Sequence, residues 1–490
     1  MGVESLTRTV DVDPDLNEIW ENPPKHLIAN DLSIRFTGQQ RVVPNTNAIG
    51  IFGAQKGDES KGTWSYRYSH LRPAGGVAIR AGGPGAGHMI RPENESEEVG
   101  FRMLPTSIDD GWVKIAGRGE LVVPELVINE MQILKRLGYN PTPKNIMIDG
   151  AAFLAWDAHI QRDIAEEKSR GKDAIGTTKS GVGPAASDYT ARVGLRMDCL
   201  LKTKQETERL VQDEVERQNR ILTSLPSEFN LDPNETLEKF KEWVKILGPY
   251  IGNTYPVVTR ALKENGNLIF EGAQAFGISL DTGFRGSVTS TDSGPGSFTR
   301  RYRTSENRLG WRIGVLKLVP TCVGNHVIHS PLSQEHQEPL YLRTEERGRP
   351  EAGTVSGRRR KYYWLSVPEI CAAIETYNLN ALVLAKVDAV DTLPEIRFGV
   401  EYVFPDGYTT TDYDPDDPRM LDERTRMNTL KLDGWKTSTA GLNTFEDAPR
   451  QLRAAVATLE HLTNLPIVAI GTGPAFHEAI YAQNSPFNVG

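Results

Sequence analysis

The chain has 490 residues, 38% of them hydrophobic and 24% charged, so it is long enough to bury a large core. Its net charge of -8 argues against a broad nucleic-acid surface, and no apolar run reaches the roughly 18 residues of a membrane span. A polar start without a signal-peptide pattern and three widely spaced cysteines predict a cytoplasmic protein without membrane or nucleic-acid partners.

Periodicity predicts an α/β protein. Residues 1–45 show weak periodicity, and we expect an N-terminal extension before one domain over 46–490. Buried strands are predicted at 47–53, 267–274, 379–388 and 465–471. Helices are predicted at 124–137, 204–223, 235–247 and 448–462, and an exposed loop at 409–426. The alternation favours a mostly parallel central sheet flanked by helices, with the chemistry in loops at the carboxyl ends of its strands.

The stretch "GAQKGDESKG" (53–62) follows the first predicted strand and is typical of a phosphate-binding turn. It lacks the Walker A spacing, because Lys61 stands between Ser60 and Gly62 and is not followed by Ser or Thr. Its amides could still form an anion nest, with Lys61 as a point charge. The carboxylate of Asp58 is tolerable there if it binds Mg²⁺ or accepts a proton from a substrate. A solvated turn at a sheet edge is the alternative interpretation.

Four further stretches are candidates for ligand binding. "RAGGPGAGHMI" (80–90) lets backbone approach a ligand and ends in His88, a possible acid. "AIGTTKSGVGPAASDYTARVGLR" (174–196) offers hydroxyls, amides and arginines that suit a phosphate. The arginines of "EAGTVSGRRRKYYW" suit a carboxylate or phosphate, and "LAKVDAVD" is similar to a guanine-binding Lys-x-Asp. Each alone is also compatible with an ordinary turn, a helix start or a solvated basic patch.

Taken together, the motifs resemble the adenylosuccinate synthetase family. "GAQKGDESKG" is similar to that family's GAQWGDEGKG, and "GGPGAGHM" is similar to GGxNAGHT. "FEGAQAFGISLDTGFRGSVTS", "GTVSGRRRKYYW" and "LAKVDAVDTLPEI" also have counterparts, in the family's order from about residue 46 to 474. The resemblance implies a P-loop-NTPase-like fold and a GTP-dependent ligase of purine biosynthesis. GTP would phosphorylate O6 of IMP, and aspartate would then displace the phosphate to give adenylosuccinate.

The resemblance also implies a role for each matched residue. Asp58 would be the general base on purine N1 and, with Gly87, a ligand of one Mg²⁺ ion, while His88 would stabilise charge on O6. Lys61 and Gln274 complete the implied catalytic set. The implied GTP-binding residues are Gly57, Lys61, Gly62, Lys386, Asp388, Gly471 and Gly473. The implied residues for the second nucleotide are Thr178, Arg192, Gln274, Thr289 and Arg358. Those for aspartate are Val355, Ser356, Arg358 and Arg360.

The family supplies the arginine that Arg192 matches across a subunit interface, so the resemblance implies a homodimer with composite sites. Several positions depart from the family pattern and predict a divergent member. Residues that replace the family's usual ones are Lys56, Ser60, Gly85, Met89, Ser180, Val355, Ser356 and Phe476. Alternatives are a phage-type enzyme acting on dGMP, the same chemistry on another nucleotide or amino acid, and a non-catalytic nucleotide-binding relative. Retention of Asp58 and Asp388 argues against the phage type.

Overall fold

A long twisted sheet organises the structure, a computed structural model that describes residues 47–322, 326–346, 351–352 and 359–488. Within these residues the sheet has ten strands in the order β20-β19-β15-β11-β1-β10-β2-β5-β7-β9. The pairs are parallel except β19 with β20, which is antiparallel. The prediction of a mostly parallel central sheet flanked by helices is therefore confirmed.

The strands are, in chain order, β1 (Ala48–Gly53), β2 (Gly76–Arg80), β3 (His88–Ile90), β4 (Val99–Phe101), β5 (Trp112–Ala116), β6 (Leu121–Val122), β7 (Ile146–Asp149), β8 (Phe153–Leu154), β9 (Ile251–Gly252), β10 (Leu268–Glu271), β11 (Trp311–Leu316), β12 (Thr321–Cys322), β13 (Lys361–Tyr362), β14 (Leu365–Ser366), β15 (Ala381–Leu384), β16 (Glu395–Val403), β17 (Thr409–Thr410), β18 (Arg426–Asp433), β19 (Ile467–Gly471) and β20 (Ala479–Tyr481).

The α-helices are α1 (Lys61–His70), α2 (Pro124–Arg136), α3 (Asp157–Arg170), α4 (Val182–Thr190), α5 (Lys204–Thr223), α6 (Pro233–Leu247), α7 (Tyr255–Lys263), α8 (Pro295–Tyr302), α9 (Gln334–Glu346), α10 (Val367–Thr376) and α11 (Arg450–Thr463). Among the described helices, none combines the length and apolarity that crossing a membrane requires.

Both faces of the central sheet are buried, which explains the continuous apolar run that predicted β1. Ile49 and Ile51 point to one face and pack with Trp64 of α1. Ala48 and Phe52 point to the other face and join a larger core. Successive side chains of a strand alternate between faces, so a strand covered on both sides needs apolar residues at every position.

Local capping sets the helix boundaries. Thr203 and Glu206 form a reciprocal capping box, and α5 matches the predicted range 204–223. Helix α6 begins at Pro233, two positions earlier than predicted, because Asp232 accepts hydrogen bonds from the amides of Asn234 and Glu235.

Two predicted strands are shorter than the apolar runs that indicated them. The strand predicted at 267–274 is Leu268–Glu271, and the strand predicted at 379–388 is Ala381–Leu384. In both cases the chain turns where a residue enters the left-handed region, with φ of 59° at Gln274 and 56° at Lys386. The residues beyond each strand therefore belong to loops at the carboxyl edge of the sheet.

The predicted loop at 409–426 is only partly a loop. Its first residues form β17, which pairs antiparallel with β16, and its last residue begins β18. Met420 is buried and packs with Phe404 and Met427, so this segment closes a small satellite core. The predicted extension at 1–45 lies outside the described residues.

Candidate active site

Loops at the carboxyl edge of the sheet enclose a cavity of about 660 Å³. They follow β1, β2, β10, β15 and β19, as expected for chemistry at the strand ends of a parallel sheet. The cavity wall brings together most of the predicted site residues: Gly57, Asp58, Lys61, Gly62, Gly87, His88, Thr178, Gln274, Thr289, Arg360, Lys386, Asp388, Gly471 and Gly473.

Four predicted residues are not in this set. Arg192 is exposed just beyond α4, has a φ of 66°, and is not part of the cavity wall. Val355, Ser356 and Arg358 of the predicted amino-acid loop lie outside the described residues. Their assignments stay predictions.

The turn after β1 is bent by backbone in the left-handed region. Gly57, Asp58 and Ser60 have φ values of 98°, 64° and 63°. Glu59 is buried beneath the turn, where it accepts a hydrogen bond from the Gly57 amide at 2.8 Å and pairs with Lys61 Nζ at 2.7 Å. The point charge predicted at Lys61 is therefore tied to a buried carboxylate within the same turn.

Asp58 lies at the centre of a group of cations. Its Oδ2 is 2.8 Å from Lys386 Nζ, 3.1 Å from Lys317 Nζ and 3.1 Å from Arg360 Nη1. Glu351 adds a second carboxylate, with Oε2 at 2.7 Å from Arg360 Nη1 and Oε1 at 3.5 Å from Lys386 Nζ. We call these five residues the Asp58 cluster.

The cluster fixes the charge of Asp58. Burial by itself favours the neutral acid, but Arg360, Lys386 and Lys317 outweigh it and hold the pKa of Asp58 well below its usual range. Its carboxylate is thus ionised at neutral pH. Burial also lowers the pKa of Lys317, and the charges of Asp58 and Glu351 oppose that effect.

His88 is held by a buried ion pair. Its Nδ1 is 2.6 Å from Glu271 Oε1 and 2.6 Å from Arg80 Nη1, and Arg80 Nη1 is 2.7 Å from the same carboxylate oxygen. The other oxygen of Glu271 accepts hydrogen bonds from the amide and hydroxyl of Thr106 at 2.9 and 2.8 Å. Both contacts of the His88 ring use Nδ1, and Nε2 has no partner among the described residues.

His88 and Glu271 differ in charge at neutral pH. Burial and the charge of Arg80 lower the pKa of His88 to about 4, so its imidazole is neutral at pH 7. Burial disfavours the carboxylate of Glu271, yet its hydrogen bond with His88 and the charge of Arg80 lower the pKa of Glu271 to about 2. Gly62 allows α1 to pack closely against His88, because a Cβ at position 62 would lie 2.6 Å from the Cβ of His88.

A second part of the site is built from neighbouring sequence. Residues 174–181, here called the threonine loop, are held by two carboxylates on α3. Asp163 accepts from the Thr177 hydroxyl at 2.7 Å and the Gly181 amide at 2.9 Å. Glu167 accepts from the amides of Ile175, Gly176 and Thr177 at 3.2, 2.7 and 3.1 Å.

The threonine loop leads directly into the first turn of α4, and this turn and Thr178 line the cavity. The free amides of a helix N-terminus and a nearby hydroxyl suit an anion such as a phosphate.

Gln274 presents an unsatisfied acceptor. Its Oε1 is buried and has no hydrogen-bond partner among the described residues, while the residue lines the cavity. A buried amide oxygen without a partner is costly, and a ligand with an N–H group would satisfy it.

Sequence reasoning missed several contributors, namely Lys317, Glu351, Glu271, Arg80 and Arg67. Three of them carried a usable signal, because a charged residue closes or directly follows an otherwise apolar strand: Arg80 ends β2, Glu271 ends β10 and Lys317 follows β11. A charge at the carboxyl end of a buried strand predicts a site residue.

The fold and the cavity define an α/β protein with a candidate ligand site at the carboxyl edge of its central sheet. The sequence profile of the adenylosuccinate synthetase family matches residues 50–480. The adenylosuccinate synthetase of Aspergillus fumigatus is 33% identical over 428 residues, covering 87% of this chain and 97% of the relative. That of Chlorobium limicola is 30% identical over 440 residues, covering 89% and 98%. The chain belongs to the adenylosuccinate synthetase family.

Solved structures agree on the fold. A fully ligated adenylosuccinate synthetase from Plasmodium falciparum superposes with a TM-score of 0.81 at 24% identity, covering 89% of this chain and 99% of that one. The succinoaminodeoxyadenylate synthetase of cyanophage S-2L gives a TM-score of 0.53 at 15% identity, covering 89% and 95%. The predicted family and its divergence are confirmed. So is the predicted activity, a GTP-dependent carbon–nitrogen ligase that joins aspartate to IMP in purine biosynthesis. The phage-type alternative is not favoured.

Proposed function

We propose that this chain makes adenylosuccinate at the cavity described above, with Asp58 and His88 acting on the purine. The observation that carries this assignment is that an ionised carboxylate and a neutral imidazole, both positioned by buried ion pairs, face one cavity. GTP transfers its γ-phosphoryl group to O6 of IMP as the N1 proton leaves. The aspartate amine then attacks C6 and expels the phosphate.

Asp58 is the base that removes the N1 proton, and its cations explain how it can act. In the ion-paired state its pKa is too low for an effective base. The bound substrates would compete for Lys386 and Arg360, both of which line the cavity. Losing these partners raises the pKa of Asp58 towards a value suited to proton transfer.

His88 stabilises the negative charge that develops on O6. Its Nε2 has no partner among the described residues, and its other nitrogen is fixed by Glu271. An anionic oxygen next to Nε2 favours the protonated ring, which could then donate a hydrogen bond. Glu271 and Arg80 act through His88 and are positioning residues.

The donor set fits one Mg²⁺ ion. All three cation contacts that Asp58 makes with described residues use Oδ2 and leave Oδ1 for a metal, and Gly87, the implied carbonyl ligand, lines the cavity. Among the described residues no group of three or more His, Cys, Asp or Glu side chains could hold a metal alone, which suits an ion shared with substrate phosphates. When bound, Mg²⁺ spreads the charge of the transferred phosphoryl group.

The remaining roles follow the matched motifs. Lys61, Gly57 and Gly62 hold GTP phosphates, Lys386 and Asp388 select guanine between Gly471 and Gly473, and Arg360 receives an aspartate carboxylate with Arg358. Thr178, Thr289 and Gln274 bind IMP. The location of most of these residues in one cavity supports the set. Lys386 Nζ lies at Asp58 here, so it links the guanine end of the site to the catalytic turn.

We propose that a second copy of the chain completes the site with Arg192, in a cytoplasmic homodimer. Tyr189 and Val193, beside Arg192, are 48% and 47% exposed, and large apolar side chains clustered on a surface suit a protein interface. The catalytic domain would span 46–490, which the family match over 50–480 supports.

The test is to incubate the pure protein with GTP, Mg²⁺, aspartate and IMP and to look for adenylosuccinate by mass spectrometry. Parallel reactions with dIMP, GMP and dGMP cover the other purines. Product from dGMP but not from IMP would overturn the assignment. No product from any nucleotide, even with other amino acids, would indicate a protein that only binds nucleotides.

The dimer is tested by mixing two inactive variants, Asp58→Asn and Arg192→Leu. If Arg192 acts across the interface, a mixed dimer has one intact site, so activity returns to about a quarter of the wild-type value on random exchange. Failure to regain activity in mixtures shown to exchange subunits would contradict the composite site.

A further inference from the structure

Arg67 is a buried cation in the cavity wall that none of the sequence motifs singled out. It is 1% exposed, stands on α1 and lines the cavity together with Gly471, Gly473 and Asp388. A fully buried guanidinium needs partners, and its partners here show how it is oriented.

The Arg67 guanidinium is fixed from two sides. Nη2 donates to the carbonyl oxygens of Gly473, Ala475 and Glu478 at 3.0, 2.7 and 2.9 Å. The group also lies over the ring of Trp64, 4.6 Å from its centroid. The plane of the guanidinium is therefore set before any ligand arrives, which suits directional hydrogen bonding.

Its other terminal nitrogen is available. Nη1 makes no hydrogen bond with a described residue, and a Cβ at Gly471 would lie only 3.5 Å from it. Since Gly471 has no side chain, the approach to Nη1 from the cavity stays open. Burial lowers the pKa of Arg67, and the charges of Glu478 and Asp388 are among those that oppose the effect, so Asp388 lies within electrostatic reach.

We propose that Arg67 is a specificity-determining residue for the phosphate donor, whose Nη1 donates a hydrogen bond to O6 of guanine. This rests on the proposed placement of guanine against Asp388, which would accept from N1–H and the N2 amino group. The guanidinium and the carboxylate then read adjacent positions of one purine edge.

The order of donor and acceptor explains why the pair selects guanine. Guanine presents an acceptor at O6 beside donors at N1 and N2, the complement of a guanidinium beside a carboxylate. Adenine presents a donor at N6 beside an acceptor at N1, so both contacts become unfavourable. A site whose polar groups are positioned to hydrogen-bond one ligand rejects an analogue that leaves those groups unpaired.

The test compares GTP with 6-thio-GTP, which keeps the N1 and N2 donors but replaces O6 by a weaker sulfur acceptor. For the wild type we expect kcat/KM to be about tenfold or more higher with GTP, the value of one hydrogen bond from a charged donor. In Arg67→Met we expect kcat/KM for GTP to fall by about the same factor and the preference over 6-thio-GTP to disappear.

Other outcomes separate the alternatives. Equal use of both nucleotides by the wild type overturns the proposal without any variant. An equal loss for both nucleotides in Arg67→Met also overturns it, because Arg67 would then only hold the 473–478 loop. A wild type inactive with every donor instead contradicts the proposed function.

Arg72→Met is the matched control. Arg72 also lies over an aromatic ring, that of Tyr68 at 3.6 Å, and donates to backbone carbonyls, but it does not line the cavity. It should keep the wild-type preference. IMP binding and thermal melting check folding, and if Arg67→Met does not fold, Arg67→Lys is measured in the same way.

Discussion

Two parts of the site are built in opposite ways. The Asp58 cluster joins residues far apart in sequence, since Lys317 and Lys386 lie 259 and 328 positions from Asp58. The threonine loop is held by carboxylates only 8 to 18 positions from the groups they bind. The Asp58 cluster consists of five charged side chains. The threonine loop consists of mostly neutral groups that donate hydrogen bonds to the carboxylates of Asp163 and Glu167.

The difference predicts different consequences of mutation. Removing a charge from the Asp58 cluster leaves buried charges without compensation, which is costly in a region of low dielectric. Removing one carboxylate from the threonine loop leaves amides that water or a bound phosphate can satisfy in part. The cluster should therefore control chemistry, and the loop should control binding.

The largest effect is expected for Asp58→Asn. It removes the proposed base and leaves Lys317, Lys386 and Arg360 facing one another, so kcat should fall by about 10³-fold or more while IMP still binds. Steady-state kinetics and calorimetry measure the two quantities. Asp110→Asn, at an exposed position, is the control. Appreciable turnover in Asp58→Asn would remove the residue from the base role.

The variant Glu271→Gln tests whether His88, like Asp58, depends on a charged partner that is distant in sequence. In Glu271→Gln the buried charge of Arg80 loses its partner and His88 loses its anionic acceptor, so kcat should fall about 10²-fold with little change in the KM for IMP. The free energy of unfolding should fall by about 3–5 kcal/mol. An unchanged kcat in a folded variant would show that His88 needs no such support.

The pH dependence of stability tests the same pair. The pKa of His88 is about 4 in the folded protein against 6.5 ordinarily, so the unfolded chain binds more protons between these values. Stability from this group is present above about pH 6.5 and is lost as pH falls towards 4, by about 3 kcal/mol in all. Urea titrations of the wild type and His88→Gln should diverge over this range. Parallel curves would contradict the assigned shift.

In the threonine loop, Glu167→Gln should act on binding. The neutral amide is a weaker acceptor for the three amides of the loop, so the KM for IMP should rise about tenfold while kcat changes by less than about threefold. Glu238→Gln, on the exposed side of α6, should change neither value. A large loss of kcat with an unchanged KM would place this loop with the chemistry instead.

The smallest effect is expected at Ser60, where the family usually has glycine. Its φ of 63° is strained for a residue with a Cβ, so Ser60→Gly should raise the free energy of unfolding by about 1 kcal/mol. Asn464→Gly is the control, because its φ of 52° is also left-handed but asparagine tolerates that region better, so its gain should be smaller. Both are measured by urea unfolding.

Much of the fold was predictable because its signals are local. The helices predicted at 204–223 and 124–137 both lie within one residue of the predicted ends, because a capping box and a first-turn proline fix where they begin. Four strands of the central sheet, β1, β10, β15 and β19, were visible as apolar runs. Their ends were less predictable, because Gln274 and Lys386 leave the strand by a backbone conformation that composition does not reveal.

The sequence by itself determined the order of the motifs, the α/β class and the family, because these depend on residue types at fixed spacing. It also predicted that Asp58 and His88 act on the purine, and both line the cavity. Only the tertiary structure decided which charges meet. It brought Lys317 to Asp58, Glu271 to His88, and Arg67 to the carbonyl groups after β19. Such contacts depend on which strands lie side by side, and no spacing along the chain encodes that order.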